Sequence, residues 1–425
     1  MNQTQDKEVQ NRKFNMKLYP TYEMIGYDVL FFYGIRVMFL SEVKGFTNSQ
    51  IVLSSTLFAI YSIIFQSIST LIISKIGKKN GAITGNILLI FWAVLIMAIK
   101  SFTGLALAQL FFALAFTFKG VSEAGLLGIS IPDSRFENEI FTSIDKRGFS
   151  RYCILSAITV VSAGYLYEIN PYIPMVLCLI FILIATIISF NFAEIEKKKD
   201  RTKENRKYIE ELKEGFRFTM KSKRLRSLFI FTGVIWGVIA LLDLYELALL
   251  QFLNVDPFLT GIIFAGIELV KGIFARLAPY FNKLFKNKSL VNILAVFSVG
   301  FILIGCVSIL QINHELKIWI IAITLLILAA LNGIAIILAK KYFNNFSNDE
   351  ISPSIYTVKT ISDNFFRIIT TVIGSTILVY CNIDVSILIF GLILMIATVL
   401  IFNFAKNKLG LSPDEYSKKD IYIIR

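Results

Sequence analysis

The sequence predicts an all-α integral membrane protein of twelve transmembrane helices, set out as two six-helix bundles related by pseudo-twofold symmetry. Three observations carry this expectation. The 425 residues are 56% hydrophobic, with a mean hydropathy of +0.68, far more apolar than a water-soluble chain of this length needs. The apolar residues gather into twelve segments separated by short polar runs. The segments repeat their landmarks halfway along the chain.

A spanning helix needs about 20 apolar residues. Segments that meet this lie at 18–40, 48–74, 81–100, 103–131, 150–168, 172–193, 227–251, 257–282, 289–311, 316–339, 353–380 and 384–405. Breaks such as Asn170-Pro171 and Asp256-Pro257 separate them. Residues 1–17 are polar and charged and read as a cytoplasmic N-terminus without a cleavable signal peptide. Residues 18–193 form the first bundle, 227–405 the second, and 406–425 a cytoplasmic tail. Between the bundles, residues 194–226 hold thirteen of the forty-three Lys and Arg residues. There Ile209, Leu212 and Phe216 recur at helical spacing among charges, which suggests an amphipathic helix on the membrane surface within a cytoplasmic hinge. A solvated charged linker fits residues 194–206 equally well.

The net charge of +13 is an orientation signal and not a nucleic-acid signal, because the positive residues fall in alternate loops. One side takes the N-terminus, Lys75–Lys79, Arg135–Arg151, the hinge, Lys283–Lys288, Lys340-Lys341 and the C-terminus. The other takes only Lys44, Lys100 and Lys317. Both termini are therefore expected in the cytoplasm, and the even number of spans requires the same.

Three marks repeat. Thr47-Asn48-Ser49-Gln50 reads as a capping box opening the second span, and Asp256-Pro257 as an N-cap with an N1 proline opening the eighth. Lys75-Ile76-Gly77-Lys78 matches Lys283-Leu284-Phe285-Lys286, and Gly164 matches Gly374. The common offset points to a duplicated six-helix unit, which is a transporter signature.

On these residues the chain resembles the major facilitator superfamily of transporters over nearly its whole length. Thr70-Leu71-Ile72-Ile73-Ser74-Lys75-Ile76-Gly77-Lys78-Lys79 is similar to that family's loop motif between spans 2 and 3. Lys75, Gly77, Lys78 and Lys79 fit it, while Thr70 and Ser74 stand where the motif has glycine and aspartate. The family's aspartate joins a charge latch on the cytoplasmic side, so that latch is in question here. Gly120-Val121-Ser122-Glu123-Ala124 is similar to a stretch in bacterial members. The resemblance implies that spans 1, 4, 7 and 10 line a central cavity.

Charge inside a membrane is costly, about 2.5–3.5 kcal/mol at a helix centre on the insertion scale, so these residues mark the candidate site. Span 1 has Glu23, Asp28 and Arg36; span 4 has Lys119 and Glu123; span 7 has Asp243 and Glu246. Span 8 has Glu268 and Lys271, and span 11 has Lys359, Asp363 and Arg367. Spans 3, 6, 9 and 12 carry no charge in their cores and are the ones able to face lipid. Asp28, Lys119, Asp243, Glu246 and Glu268 are the candidates for binding substrate or protons. Arg36, Glu123, Lys271, Asp363 and Arg367 are candidates for gating or structural pairs. Lys119 with Glu123 and Asp363 with Arg367 are spaced i,i+4, and Glu268 with Lys271 i,i+3, so same-helix neutralisation is an equal alternative. Asp28 lies near mid-membrane at ~1.5 Å of rise per residue. There a carboxylate takes up a proton in a dry cavity and releases it to water.

Cys153, Cys178, Cys306 and Cys381 lie far apart in apolar sequence and read as small hydrophobes, and His314 is the only histidine. No metal site, catalytic set or Walker A pattern can be assembled from them. The expected activity is not enzymatic, and the expected driver is an ion gradient, with protons first, rather than a bound cofactor. The partners expected are a small-molecule substrate and the lipid bilayer, for a monomeric carrier in a bacterial inner membrane. Resemblance to bacterial efflux members implies export of a drug-like or peptide-like compound. A nutrient-uptake carrier of the same fold, and a transport-inactive receptor or immunity protein, stay open.

Overall fold

The computed structural model describes residues 3–131, 137–195, 217, 223–285, 288–344 and 352–405. Most of the basic hinge and all of the C-terminal tail expected at 406–425 lie outside the described residues. Among the described residues, twelve long helices follow one another: α1 Gln3–Gly26, α2 Asn48–Ile76, α3 Lys78–Ala98, α4 Phe102–Ser130, α5 Glu137–Ile169 and α6 Tyr172–Phe190. Then come α7 Lys223–Phe252, α8 Pro257–Phe285, α9 Ser289–Ile309, α10 His314–Asn344, α11 Ser352–Tyr380 and α12 Ile383–Ala405. Ten of them are long and apolar enough on their own to cross a membrane; α1 and α11, which carry more charge, are the two others.

The helix starts follow local chemistry. Thr47 and Gln50 cap α2 reciprocally: the Thr47 amide donates to Gln50 Oε1 at 3.0 Å and the Gln50 amide to Thr47 Oγ1 at 3.2 Å. Pro257 opens α8, where its missing N–H costs nothing. Ser101 caps α4 by accepting from the Gly104 amide at 3.2 Å, and Asn313 caps α10 by accepting from the Glu315 amide at 2.9 Å. Gly77, at φ +88°, makes the sharp turn from α2 to α3, a conformation that glycine adopts without a Cβ penalty.

Span 1 departs from the expected single helix over 18–40. α1 ends at Gly26, and the chain continues through a short 3-10 turn (Tyr33–Ile35), one α turn (Arg36–Met38) and a π segment (Phe39–Val43). The cause is local. Asp28 Oδ1 accepts from the Val29 amide at 2.7 Å and the Asp28 carbonyl from the Leu30 amide at 3.1 Å, bonds that compete with the helical ladder. Phe31 then takes a left-handed φ of +67° while staying buried, a strained state for a bulky residue.

The chain packs as two compact units. The first takes residues 1–44, 60–206 and 257–265, and the second residues 45–59, 207–256 and 266–425, so α2 and α8 each contribute to both. In the first unit α3 pairs with α4 and α6, and α1 with α5; in the second α9 pairs with α10 and α12, and α7 with α11. The same pairings recur six helices on.

Within the first unit, residues 3–17 belong to α1. Arg12 Nη1 donates to the Ile131 carbonyl at 3.1 Å, and Asn15 Nδ2 to Ser130 Oγ at 3.2 Å and the Ala193 carbonyl at 2.9 Å. Tyr19, Tyr22, Leu126, Leu127, Ile131, Ala185 and Phe192 make a core next to these bonds. Gly164 lets the first turn of α8 lie on α5 against the Pro257 carbonyl.

Within the second unit, α11 meets the first half of α2 along a polar seam. Ser49 Oγ donates to the Ser375 carbonyl at 3.0 Å, Ser375 Oγ to the Ser49 carbonyl at 2.9 Å, and Thr56 and Thr371 share a hydroxyl bond of 2.6 Å. Gly374 accepts Tyr245 Oη on its carbonyl at 2.9 Å. The helices without charge in their cores carry exposed apolar residues: Phe91 and Val94 on α3, Ile187 and Phe190 on α6, Val299 and Leu303 on α9, and Ile396 and Leu400 on α12.

Candidate functional site

In the first unit, a set of buried polar groups lies on α1, α3 and α4. Two glycines on α3 one turn apart bring α4 close. A Cβ on Gly85 would stand 2.7 Å from Lys119 Cγ and 3.1 Å from the Ala115 carbonyl, and one on Gly81 would strike Ser122 Oγ. The Lys119 stem therefore lies across Gly85, and the next residue, Asn86, reaches its head.

Lys119 Nζ donates to Glu123 Oε1 at 2.6 Å, Asn86 Oδ1 at 2.9 Å and Tyr22 Oη at 3.2 Å. Tyr22 Oη donates to the same Glu123 oxygen at 2.5 Å and accepts from Asn86 Nδ2 at 3.0 Å. The Tyr22 ring also faces the ammonium, 5.2 Å from its centroid. All three ammonium protons are thus engaged, and the bonds to Glu123 are charge-assisted. Tyr22, Asn86 and Lys119 are at most 2% exposed, whereas the Glu123 side chain is 18% exposed. The network closes inside the protein except at this carboxylate.

Of the residues expected at the site, Lys119 and Glu123 are brought together here. Asp28 stands apart at the break in span 1, where it holds the Val29 amide; the bonds of Lys119 go to the three partners above. Arg36 follows the break, its guanidinium 5.5 Å from the Tyr33 ring. Lys75 ends α2, Gly77 makes the turn, and the Lys78 stem lies along Gly125 of α4. The side chain of Ser74 lies outside the described residues.

The second unit holds the rest. Glu268 is buried and receives Lys271 Nζ at 2.5 Å, where Gly333 of α10 lies against the Lys271 carbonyl. Glu246 is buried and Asp243 half-buried on α7. Asp363 is neutralised by Lys359 at 2.5 Å and not by Arg367; both stand one turn away, and tertiary contacts decide. Arg367 Nη2 and Nε donate to Ser55 Oγ at 2.6 and 3.1 Å, with the guanidinium 4.7 Å from the Phe58 ring. Lys359, left to Asp363, stands 5.3 Å from the Trp236 ring.

Sequence reasoning gave neither Asn86 nor Tyr22 a place as a partner of Lys119. A neutral amide inside an apolar span raises no charge signal. The available cue was an Asn next to the second of two glycines spaced i,i+4, on the helix facing span 4.

No protein-family model matches the chain, and no curated protein does. Solved structures do. A mutant of the nucleoside transporter NupG superposes with a TM-score of 0.69 at 12% identity, covering 92% of this chain and 100% of that one. A mutant of the peptide transporter POT in complex with sulfate gives 0.67 at 11% identity, over 93% and 94% of the two chains. At these identities the likeness defines the fold. The protein is a multi-pass, all-helical membrane protein with the twelve-helix fold of the major facilitator transporters.

Proposed function

We propose that the protein is a secondary transporter. It moves a small molecule across the membrane by alternating access, is driven by protons, and uses Glu123 as the carboxylate that takes the proton. One observation carries this: a lysine 2% exposed is neutralised by a single carboxylate that keeps 18% of its side chain accessible. A buried ion pair of this kind is poor evidence for stability, and pairs inside the membrane mark ion and proton pathways. The fold, shared with a nucleoside and a peptide transporter, supports carriage rather than catalysis. The cell is proposed to be bacterial and both termini cytoplasmic, on the loop charges.

Direction has two readings. Export of a drug-like or peptide-like compound rests on the resemblance to bacterial efflux members. Uptake, with solute and proton moving together, is favoured by the engagement of every Lys119 proton: a solute can reach the ammonium only when Glu123 gives it up.

Proteoliposomes enclosing a pH-sensitive dye test both. A dipeptide, a nucleoside and a lipophilic cation are added in turn under an imposed pH gradient. The expected result is that one of them discharges the gradient with wild-type protein and fails to with Glu123→Gln. Solute flux that ignores the gradient and is unchanged in Glu123→Gln defeats the proposal, and the absence of flux from all three leaves the receptor reading in its place.

A further inference from the structure

The second half of α8 carries a charge imbalance that the proposed transport cycle does not use. From Leu269 to His314 the sequence has five cations, Lys271, Arg276, Lys283, Lys286 and Lys288, and no Asp or Glu. Lys271 is neutralised by Glu268. Arg276 and Lys283 are exposed and take part in no hydrogen bond or ion pair among the described residues. α10, which meets this half of α8 where Gly333 lies against the Lys271 carbonyl, brings no acid to it: its only one is Glu315, in its first turn.

Both cations border an apolar stripe. Leu269, Ile273, Leu277, Tyr280 and Leu284 recur every three or four positions on one face of α8, and Ile273, Tyr280 and Leu284 are 58%, 73% and 74% exposed. Arg276 and Lys283 each directly precede a stripe residue and stand two turns apart on a shared face. At ~1.5 Å of rise per residue, Arg276 lies about 28 Å along α8 from Pro257, at the far edge of a hydrocarbon core about 30 Å thick, and Lys283 about 10 Å beyond it. Arg276 is thus level with lipid phosphates and Lys283 with the headgroups, and Tyr280 stands between them at the depth where tyrosines gather.

We infer that this face of α8 binds an anionic phospholipid, its phosphate held by Arg276 and Lys283 and an acyl chain laid along Leu277, Ile273 and Leu269. A guanidinium suits phosphate because its paired donors reach two oxygens at once, and basic groups at this depth attract acidic headgroups. A second copy of the chain fits the face poorly, since a twofold partner in the same membrane would set Arg276 and Lys283 against their own counterparts. A free anion would leave the stripe uncovered. The inference is independent of the proton reading and of the direction of transport.

Tyr280→Trp puts a fluorescent indole between the two cations. The protein is reconstituted in mixed vesicles of phosphatidylcholine and phosphatidylglycerol, and quenching by brominated chains on one lipid is compared with quenching by the same chains on the other. Wild-type protein, whose most exposed indole is Trp319 near the start of α10, 61% exposed, supplies the baseline. The introduced indole is expected to report a preference for phosphatidylglycerol of about fivefold for each cation, weakened by salt. Arg276→Gln and Lys283→Gln should each lower it by about that factor; should a variant fail to fold, salt titration of Tyr280→Trp alone reads the same attraction. Equal quenching by the two lipids, or a preference that survives both substitutions, overturns the inference. So does quenching by neither lipid, which would mean that protein covers the face. A preference abolished by inorganic phosphate, beyond the effect of sodium chloride at equal ionic strength, would assign the cations to a free anion and overturn it as well.

Discussion

The Lys119 ammonium sits 2.6 Å from Glu123 Oε1, one turn further along α4, with the lysine 2% exposed and the glutamate 18%. The asymmetry fixes what each substitution does. Glu123→Gln leaves a buried cation unpaired and should cost about 3–5 kcal/mol. Lys119→Gln alone should cost less, because Glu123 has partial access to water. The double variant Lys119→Gln/Glu123→Gln should recover most of the loss. Thermal unfolding of all four proteins in the same detergent closes the cycle; additive single losses would mean that the pair does not couple.

Much of the fold was legible because its signals are local. The reciprocal Thr47–Gln50 cap and the Pro257 start of α8 lie where sequence reading puts them, since caps depend on four adjacent residues. What sequence could not give was choice between equals. Asp363 has a cation one turn before it and another one turn after it, and spacing does not rank them. Ser55 and Phe58, more than 300 positions away, take Arg367 and leave Lys359. The break after Gly26 escaped notice because the residues beyond it are apolar, and the bonds that stop the helix come from one aspartate.

Gly77 is required by its backbone. At φ +88°, a Cβ would meet the carbonyl crowding that disfavours left-handed L-residues, so Gly77→Ala should cost about 1–2 kcal/mol. Gly77→Asn, better tolerated in that region, should cost less. Thermal unfolding of the two variants checks the order, and equal losses would point to crowding by a neighbour instead.

Phe91 and Trp92 are adjacent on α3 but differ in surroundings, 55% and 1% exposed. Phe91→Lys should meet only the insertion penalty, about 2.5–3.5 kcal/mol at a helix centre, and any protein that inserts should keep its solute preference. Trp92→Ala should cost about 3–5 kcal/mol through lost packing, since its ring packs on Phe112 and meets Phe32 edge-on. Membrane yield and unfolding temperature separate the two; a changed solute preference in Phe91→Lys would take α3 away from the lipid face.

The loop charges predict a cytoplasmic hinge. In a background with the four native cysteines replaced, single cysteines at 75–80, 194–226 and 406–425 should react with a membrane-impermeant reagent only after the cells are opened. Cysteines at 42–46, 252–256 and 312–317 should react in intact cells. Labelling of the hinge in intact cells would invert the topology.

Asp28 has two jobs open to it, and one substitution pair separates them. At the break in span 1 its Oδ1 accepts the Val29 amide at 2.7 Å while its carbonyl accepts the Leu30 amide at 3.1 Å. Asparagine can accept the same amide bond; alanine cannot. As a cap, Asp28 should tolerate Asp28→Asn with little loss, while Asp28→Ala should lose ~1 kcal/mol, the usual worth of a side-chain cap. Alanine would also free the segment that holds Phe31 in its left-handed state. As a proton carrier, Asp28 should behave in the opposite way: Asp28→Asn would fold normally but exchange solute without accumulating it down a pH gradient. With Glu123 taking the proton, gradient-driven flux should survive Asp28→Asn and vanish in Glu123→Gln. Flux and unfolding temperature measured side by side on the three variants decide the matter. Loss of accumulation in Asp28→Asn at unchanged stability would move the proton from α4 to the break in span 1.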